Sequence, residues 1–93
     1  MVLTAPSNHA SQVTPRVNLN WSNLSGSSAY IVAYDTSASF SSAVAKFMTT
    51  SSSNYFATNL FFNQHYFWKV KAINLADTTA WSETWDFITL NEL

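Results

Sequence analysis

The chain contains no cysteine, one glycine, two prolines and 10% charged residues among its 93. Without cysteine there is no disulfide framework, no thiolate metal site, no thiol catalysis and no redox switch. A small extracellular domain often uses disulfides, but one of this size with a good core stands without them. The four basic and five acidic residues leave a net charge of −1, and no basic block or stripe appears. Nothing would neutralise a run of phosphates, which excludes a nucleic-acid partner. No apolar run approaches the ~20 residues of a membrane span, so no membrane insertion is expected. The opening "MVLTAPSN" has neither a basic segment nor a long apolar one, so it does not read as a secretory signal.

What is present is apolar and aromatic. Hydrophobic residues make up 47% and aromatic residues 16% of the chain, enough for a real core. Ser, Thr and Asn supply the polar surface. Such neutral surfaces suit secreted or cell-surface proteins better than cytosolic enzymes.

The dominant spacing is two. "RVNLNW" groups Val17, Leu19 and Trp21 on one face; "AYIVAYDT" groups Tyr30, Val32 and Tyr34. "NYFATNL" sets Tyr55 and Ala57 against Phe56 and Thr58. "YFWKVKA" sets Tyr66, Trp68, Val70 and Ala72 against Phe67, Lys69 and Lys71. "TWDFIT" groups Trp85 and Phe87, and "AVAKFMTT" reads as a weaker edge segment. Ser-, Asn- and Asp-rich clusters at 22–28, 36–42, 50–54 and 74–80 separate these runs as turns. Gly26, as the sole glycine, is expected at a positive backbone angle, and Pro6 and Pro15 belong at strand edges. Several short strands at close, regular spacing predict one all-β sandwich domain over 1–93.

The order of these motifs resembles a fibronectin type III domain along nearly the whole chain, in the variant common in large secreted bacterial proteins. Leu3, Pro6 and Asn8 match its opening strand. Val17, Leu19 and Trp21 match strand B, and Tyr30 and Val32 match strand C. Ser37 and Phe40 match the "S-x-x-F" element that follows. Leu60 precedes Tyr66 by six positions, and Phe67-Trp68-Lys69-Val70-Lys71-Ala72 match strand F. Trp81, Ser82, Trp85, Phe87 and Thr89 match the end. Phe62 stands where the family has proline, Lys69 and Lys71 replace arginines, and Ala76-Asp77 replaces a glycine turn. The resemblance implies a seven-stranded antiparallel immunoglobulin-like sandwich excised from a larger multidomain protein. Tyr66 would then turn its hydroxyl onto nearby backbone at the strand E–F corner, above Leu60. Trp21 and Trp68 would face each other in the core, each indole needing a hydrogen-bond acceptor.

Four aromatic residues are the candidate contact residues: Phe56, Phe62, Phe67 and Trp81. Phe56, Phe61 and Phe62 surround the E–F turn, and Phe56 has outward parity; packing against Phe47, Met48 or the sheet edge is the expected reading, an interdomain or ligand contact by Phe56 and Phe62 the alternative. Phe67 shares the outer face of its strand with Lys69 and Lys71, and Trp81 is placed to stack on one of these lysines. A structural stack is the expected reading of that face, a ligand shelf the alternative.

The acids are Asp35, Asp77, Glu83, Asp86 and Glu92, and the histidines are His9 and His65. No metal-ligand spacing, acid pair or nucleophile elbow is visible, and neither histidine has an obvious acidic partner. Asn20 and Asn23 head formal glycosylation acceptors, a pattern expected by chance in so Asn- and Ser-rich a chain. No cofactor or metal is expected. The function indicated is a non-catalytic, monomeric spacer or protein- or glycan-contact module of a secreted or cell-surface protein. The alternative is a carbohydrate-binding module using Phe56, Phe62 or Trp81. The partners expected are neighbouring domains of the parent protein, and another protein or a glycan.

Overall fold

The structure is a computed structural model that describes residues 2–74 and 77–91. The alternating runs form eight strands: β1 (Leu3–Ala5), β2 (Ala10–Val13), β3 (Val17–Trp21), β4 (Ala29–Asp35), β5 (Lys46–Thr50), β6 (Asn54–Ala57), β7 (His65–Ile73) and β8 (Trp85–Thr89). The smaller sheet has the order β1-β3-β6 and the larger the order β2-β8-β7-β4-β5. No helix occurs among the described residues.

Seven of these strands coincide with the expected ones. The eighth, β2, corrects the reading of the first strand, which breaks after β1 at a cis Ala5–Pro6 bond. The chain then crosses to the larger sheet, where β2 pairs parallel to β8, so the sandwich is not wholly antiparallel. "ASQV" shows no apolar alternation, and the positive φ angles of His9 and Gln12 (66° and 58°) interrupt it. Its register against β8 shifts between Ala10 and Val13. A strand so short and irregular carries no period to read.

The core sits between the sheets. Every second residue of β7 is buried (Tyr66, Trp68, Val70 and Ala72), and Tyr30, Val32 and Tyr34 of β4 join them from the next strand. From the smaller sheet come Leu3, Leu19, Trp21 and Ala57. Trp21 and Trp68 meet across the sandwich with ring centroids 6.4 Å apart, and Trp85 stands edge-on to Trp68 at 87°. Tyr66 stacks on Phe87 at 5.7 Å.

The expectation of an acceptor for each buried indole is not met: neither Trp21 Nε1 nor Trp68 Nε1 has a hydrogen-bond partner among the described residues. The indoles pack against other rings, Trp21 against Tyr30 and Trp68, and Trp68 against Trp85. A lost hydrogen bond costs about 1–3 kcal/mol. Burying a ring of ~200 Å² returns about 5 kcal/mol, so ring packing decides the arrangement.

Two tyrosine hydroxyls fix the turns. Tyr66 Oη accepts the Phe61 N–H at 2.8 Å, forming the expected corner over buried Leu60. Thr89 locks the same turn from β8, its hydroxyl donating to the Phe61 carbonyl (2.7 Å) and accepting the Gln64 N–H (2.9 Å). This double tie holds the turn on which Phe62 stands. Tyr30 donates to Asn23 Oδ1 (2.6 Å) and accepts the Leu24 N–H (2.9 Å), so Asn23 has a structural use. Gly26 has φ 88°, as expected of the sole glycine.

Tyr66→Phe keeps the ring but strands the Phe61 N–H. It is expected to lower unfolding stability by about 1–3 kcal/mol. Equilibrium urea unfolding checks this, and an unchanged midpoint would remove the corner from the account.

Candidate functional site

The four candidate residues fall on opposite faces of the sandwich. Phe67 and Trp81 lie on the outer face of the larger sheet, whereas Phe56 and Phe62 line a groove beside the smaller one.

On the larger sheet, Trp81 is carried by the segment between β7 and β8. Ser82 N–H donates to the Val70 carbonyl (2.8 Å) while the Ser82 hydroxyl accepts the Val70 N–H (3.0 Å). Thr79 repeats the device on Ala72, with its N–H to the carbonyl at 2.9 Å and its hydroxyl accepting the N–H at 3.0 Å. Side-chain hydroxyls thus replace strand carbonyls and hold the segment flat along β7. Trp81 is thereby laid over both lysines, with Lys69 Nζ and Lys71 Nζ each 4.6 Å from its ring. Lys69 also lies 4.3 Å from the Phe40 ring, and Phe47 of β5 flanks Trp81 at 6.4 Å. Ala33 is completely covered on this outer side. Phe67 is half-buried and packs against His65, with ring centroids 4.4 Å apart. The arrangement is a stack in which Trp81 meets two lysines and Phe67 meets a histidine.

The covering loop depends on an acid that periodicity did not single out. Asp35 ends β4 with no exposed surface. Burial pushes its pKa up, but hydrogen bonds from the Ser42 hydroxyl, the Ser42 N–H and the Thr36 N–H outweigh burial and hold the carboxyl below the usual range. They pull the 36–42 loop inward, so that Phe40, at φ 57°, sits beneath Lys69. An acid at a strand end, with Ser37, Ser39, Ser41 and Ser42 in the loop after it, was the available signal.

The histidines require a correction. Both lie within reach of Asp86: His9 Nδ1 is 2.6 Å from Oδ1, and His65 Nε2 is 2.6 Å from Oδ2. His9 N–H also donates to the Asp86 carbonyl, and the Asp86 N–H donates to Asn8 Oδ1. The trio clasps β2 to β7 and β8. It was invisible in sequence because the partners are 77 and 21 positions apart and β2 itself was not read. Each imidazole faces a different oxygen of the same carboxylate. Among the described residues no group of His, Asp or Glu is arranged to hold a metal ion. Glu92, one of the acids considered, and Ala76, of the turn that departs from the family, lie outside the described residues.

Phe56 and Phe62 do come together. With Thr14, Pro15, Arg16 and Asn59 they line a groove of about 580 Å³. Phe56 projects outward from β6, opposite Asn18, and is 52% exposed; Phe62, on the E–F turn, is 44% exposed. The Leu60 N–H donates to the Pro15 carbonyl (3.2 Å), fixing one wall against the other. Arg16 adds a planar cation to two rings. Sequence reading missed Arg16 because parity alone does not say which outward residues share a groove.

This geometry defines a fibronectin type III-like sandwich. Among solved structures, the FN1-FN3 domains of chicken contactin-1 match with a TM-score of 0.67 and 19% identity, over 94% of this chain. The chain spans about a third of that structure, 32% of its length. No protein-family model and no curated protein matches the sequence.

Two outcomes are expected. Trp81→Ala removes two cation–π contacts and the ring contact with Phe47, lowering stability by about 1–3 kcal/mol without unfolding the domain; thermal unfolding and circular dichroism check it. For Asp35 the folded-state pKa is depressed, so its contribution is complete above the unfolded value of about 3.9 and is lost as pH falls through the folded value. Stability of the natural chain should fall as pH drops below about 4. Asp35→Asn should be less stable at pH 7 and lose less on acidification, as measured by urea unfolding at several pH values.

Proposed function

We propose that the domain is a non-catalytic spacer or contact module of a larger secreted or cell-surface protein, with Phe56 and Phe62 as its contact surface. Domains of this fold commonly act as spacers or interaction modules and are typically not enzymes. The observation that carries the reading is that two exposed rings flank one groove, whereas Phe67 and Trp81 are engaged by histidine and lysine. An exposed aromatic pair beside an arginine has the composition of an interface anchor. The contactin-1 match supports a modular setting, since that structure comprises consecutive domains and this chain aligns with about one third of it. Its position at one end of the E–F turn suits contact with a neighbouring domain of the same parent protein.

A second reading is carbohydrate binding in the same groove. Planar rings stack on the apolar faces of sugars, and Arg16 and Asn59 offer hydrogen-bond groups beside them.

The test is chemical-shift mapping of the isotope-labelled chain, first with the adjoining domain of its parent protein and then with neutral oligosaccharides. Shifts confined to Thr14–Arg16, Phe56, Asn59 and Phe62, and lost in a Phe56→Ala/Phe62→Ala variant, are expected. If binding persists undiminished in that variant, the assigned surface is wrong. No shift with any partner would leave the domain a spacer alone.

A further inference from the structure

A second cavity lies away from that groove, where the two sheets part between the edge strands β5 and β6. It has a volume of about 410 Å³, inside the ~300–1,000 Å³ range of small-molecule sites. Tyr34, Met48, Tyr55, Phe61 and Tyr66 line it, together with Lys46. Thr58 and Asn59 add polar groups to these aromatic and aliphatic walls.

The one charged group among the described lining residues is a cation, Lys46. Lys46 lies directly opposite Tyr34 in the β4–β5 register, which places both side chains on the same, inner-facing side of the sheet. An ammonium group has three donors and no acceptor. The Tyr66 hydroxyl accepts the Phe61 N–H, and no described residue takes its own proton. The Tyr34 and Tyr55 rings lie 6.1 Å apart. Burial, then the charge of Tyr55 and a hydrogen bond with it, and last the charge of Tyr66, push the Tyr34 phenol up to about 12. No carboxylate lines the cleft among the described residues. Lys46 and the three tyrosines thus share one cleft; the nearest negative charge is the Asp35 carboxylate, which with burial raises the Tyr66 phenol but does not line the cleft itself.

We propose that the cleft between β5 and β6 binds a small ring-shaped carboxylate, its charged group on Lys46 and the tyrosine hydroxyls and its ring against Met48 and the tyrosine rings. An acidic sugar and an aromatic acid share this chemistry. The competing role for Lys46 is edge protection, since an inward-pointing lysine on an edge strand discourages pairing with another sheet. That role requires no ligand.

Titration of the labelled chain separates these readings, using sodium glucuronate, sodium benzoate and uncharged glucose. Saturable shifts at Tyr34, Lys46, Tyr55 and Tyr66 with at least one of the two acids, and none with glucose, are expected. Response to glucuronate alone would identify an acidic sugar; response to benzoate, alone or with glucuronate, would identify a general ring carboxylate. Lys46→Met, a substitution at an exposed position, should leave the rest of the spectrum in place and weaken acid binding about tenfold, the usual worth of a charge-assisted hydrogen bond. Tyr55→Phe should weaken it less. The proposal is overturned if neither acid gives a saturable shift, if glucose binds equally well, or if Lys46→Met binds the acids unchanged.

Discussion

Trp68 of β7 packs against Trp21 from the opposite sheet and meets the edge of Trp85 from β8. That contact requires β7 to keep strict two-residue alternation between its neighbours β4 and β8. A slip of one residue would send Phe67, Lys69 and Lys71 into the core and Tyr66, Trp68 and Val70 to the surface. The cost of two burying lysines rules that register out. With the register set, Tyr66 reaches the Phe61 N–H, and the corner between the sheets follows. The ring packing is favourable enough to leave two indole N–H groups without acceptors.

The outer face of the larger sheet depends on the same alternation. It presents Lys69 and Lys71 in line, and their charges require either water or an aromatic face. Trp81 supplies the face because Thr79 and Ser82 use their hydroxyls to imitate a strand beside β7. On the far side, Asp35 draws the 36–42 loop inward and sets Phe40 against Lys69. A buried carboxylate and a solvent-facing cation thus support one layer, although they never touch. This layer is held by cation–π contacts and hydrogen bonds of its own.

Much of this was legible in the chain. The inward sets of β3, β4, β7 and β8, the Tyr66 corner, the Trp81–lysine stack and the turn at Gly26 each follow from short-range spacing or from a motif with known geometry. Strand β2 was not legible, because four residues with interrupted backbone angles carry no period. The Asp86 clasp was hidden for the same reason, since one of its histidines is positioned by β2. Candidate contact residues were legible as types but not as groups. Phe56, Phe62, Phe67 and Trp81 all have outward or loop positions, yet only the first two share a groove with Arg16.

The sequence by itself determined the period, the number of main strands, which side of each faced the core, and the absence of a disulfide. These are local properties: side chains alternate across a strand whatever lies beyond it. Tertiary structure decided which outward residues are neighbours, that Asp86 holds two distant histidines, and that Lys46 and three tyrosines converge on one cleft. Such groupings depend on strand order and sheet separation, which bring together positions that no spacing along the chain relates.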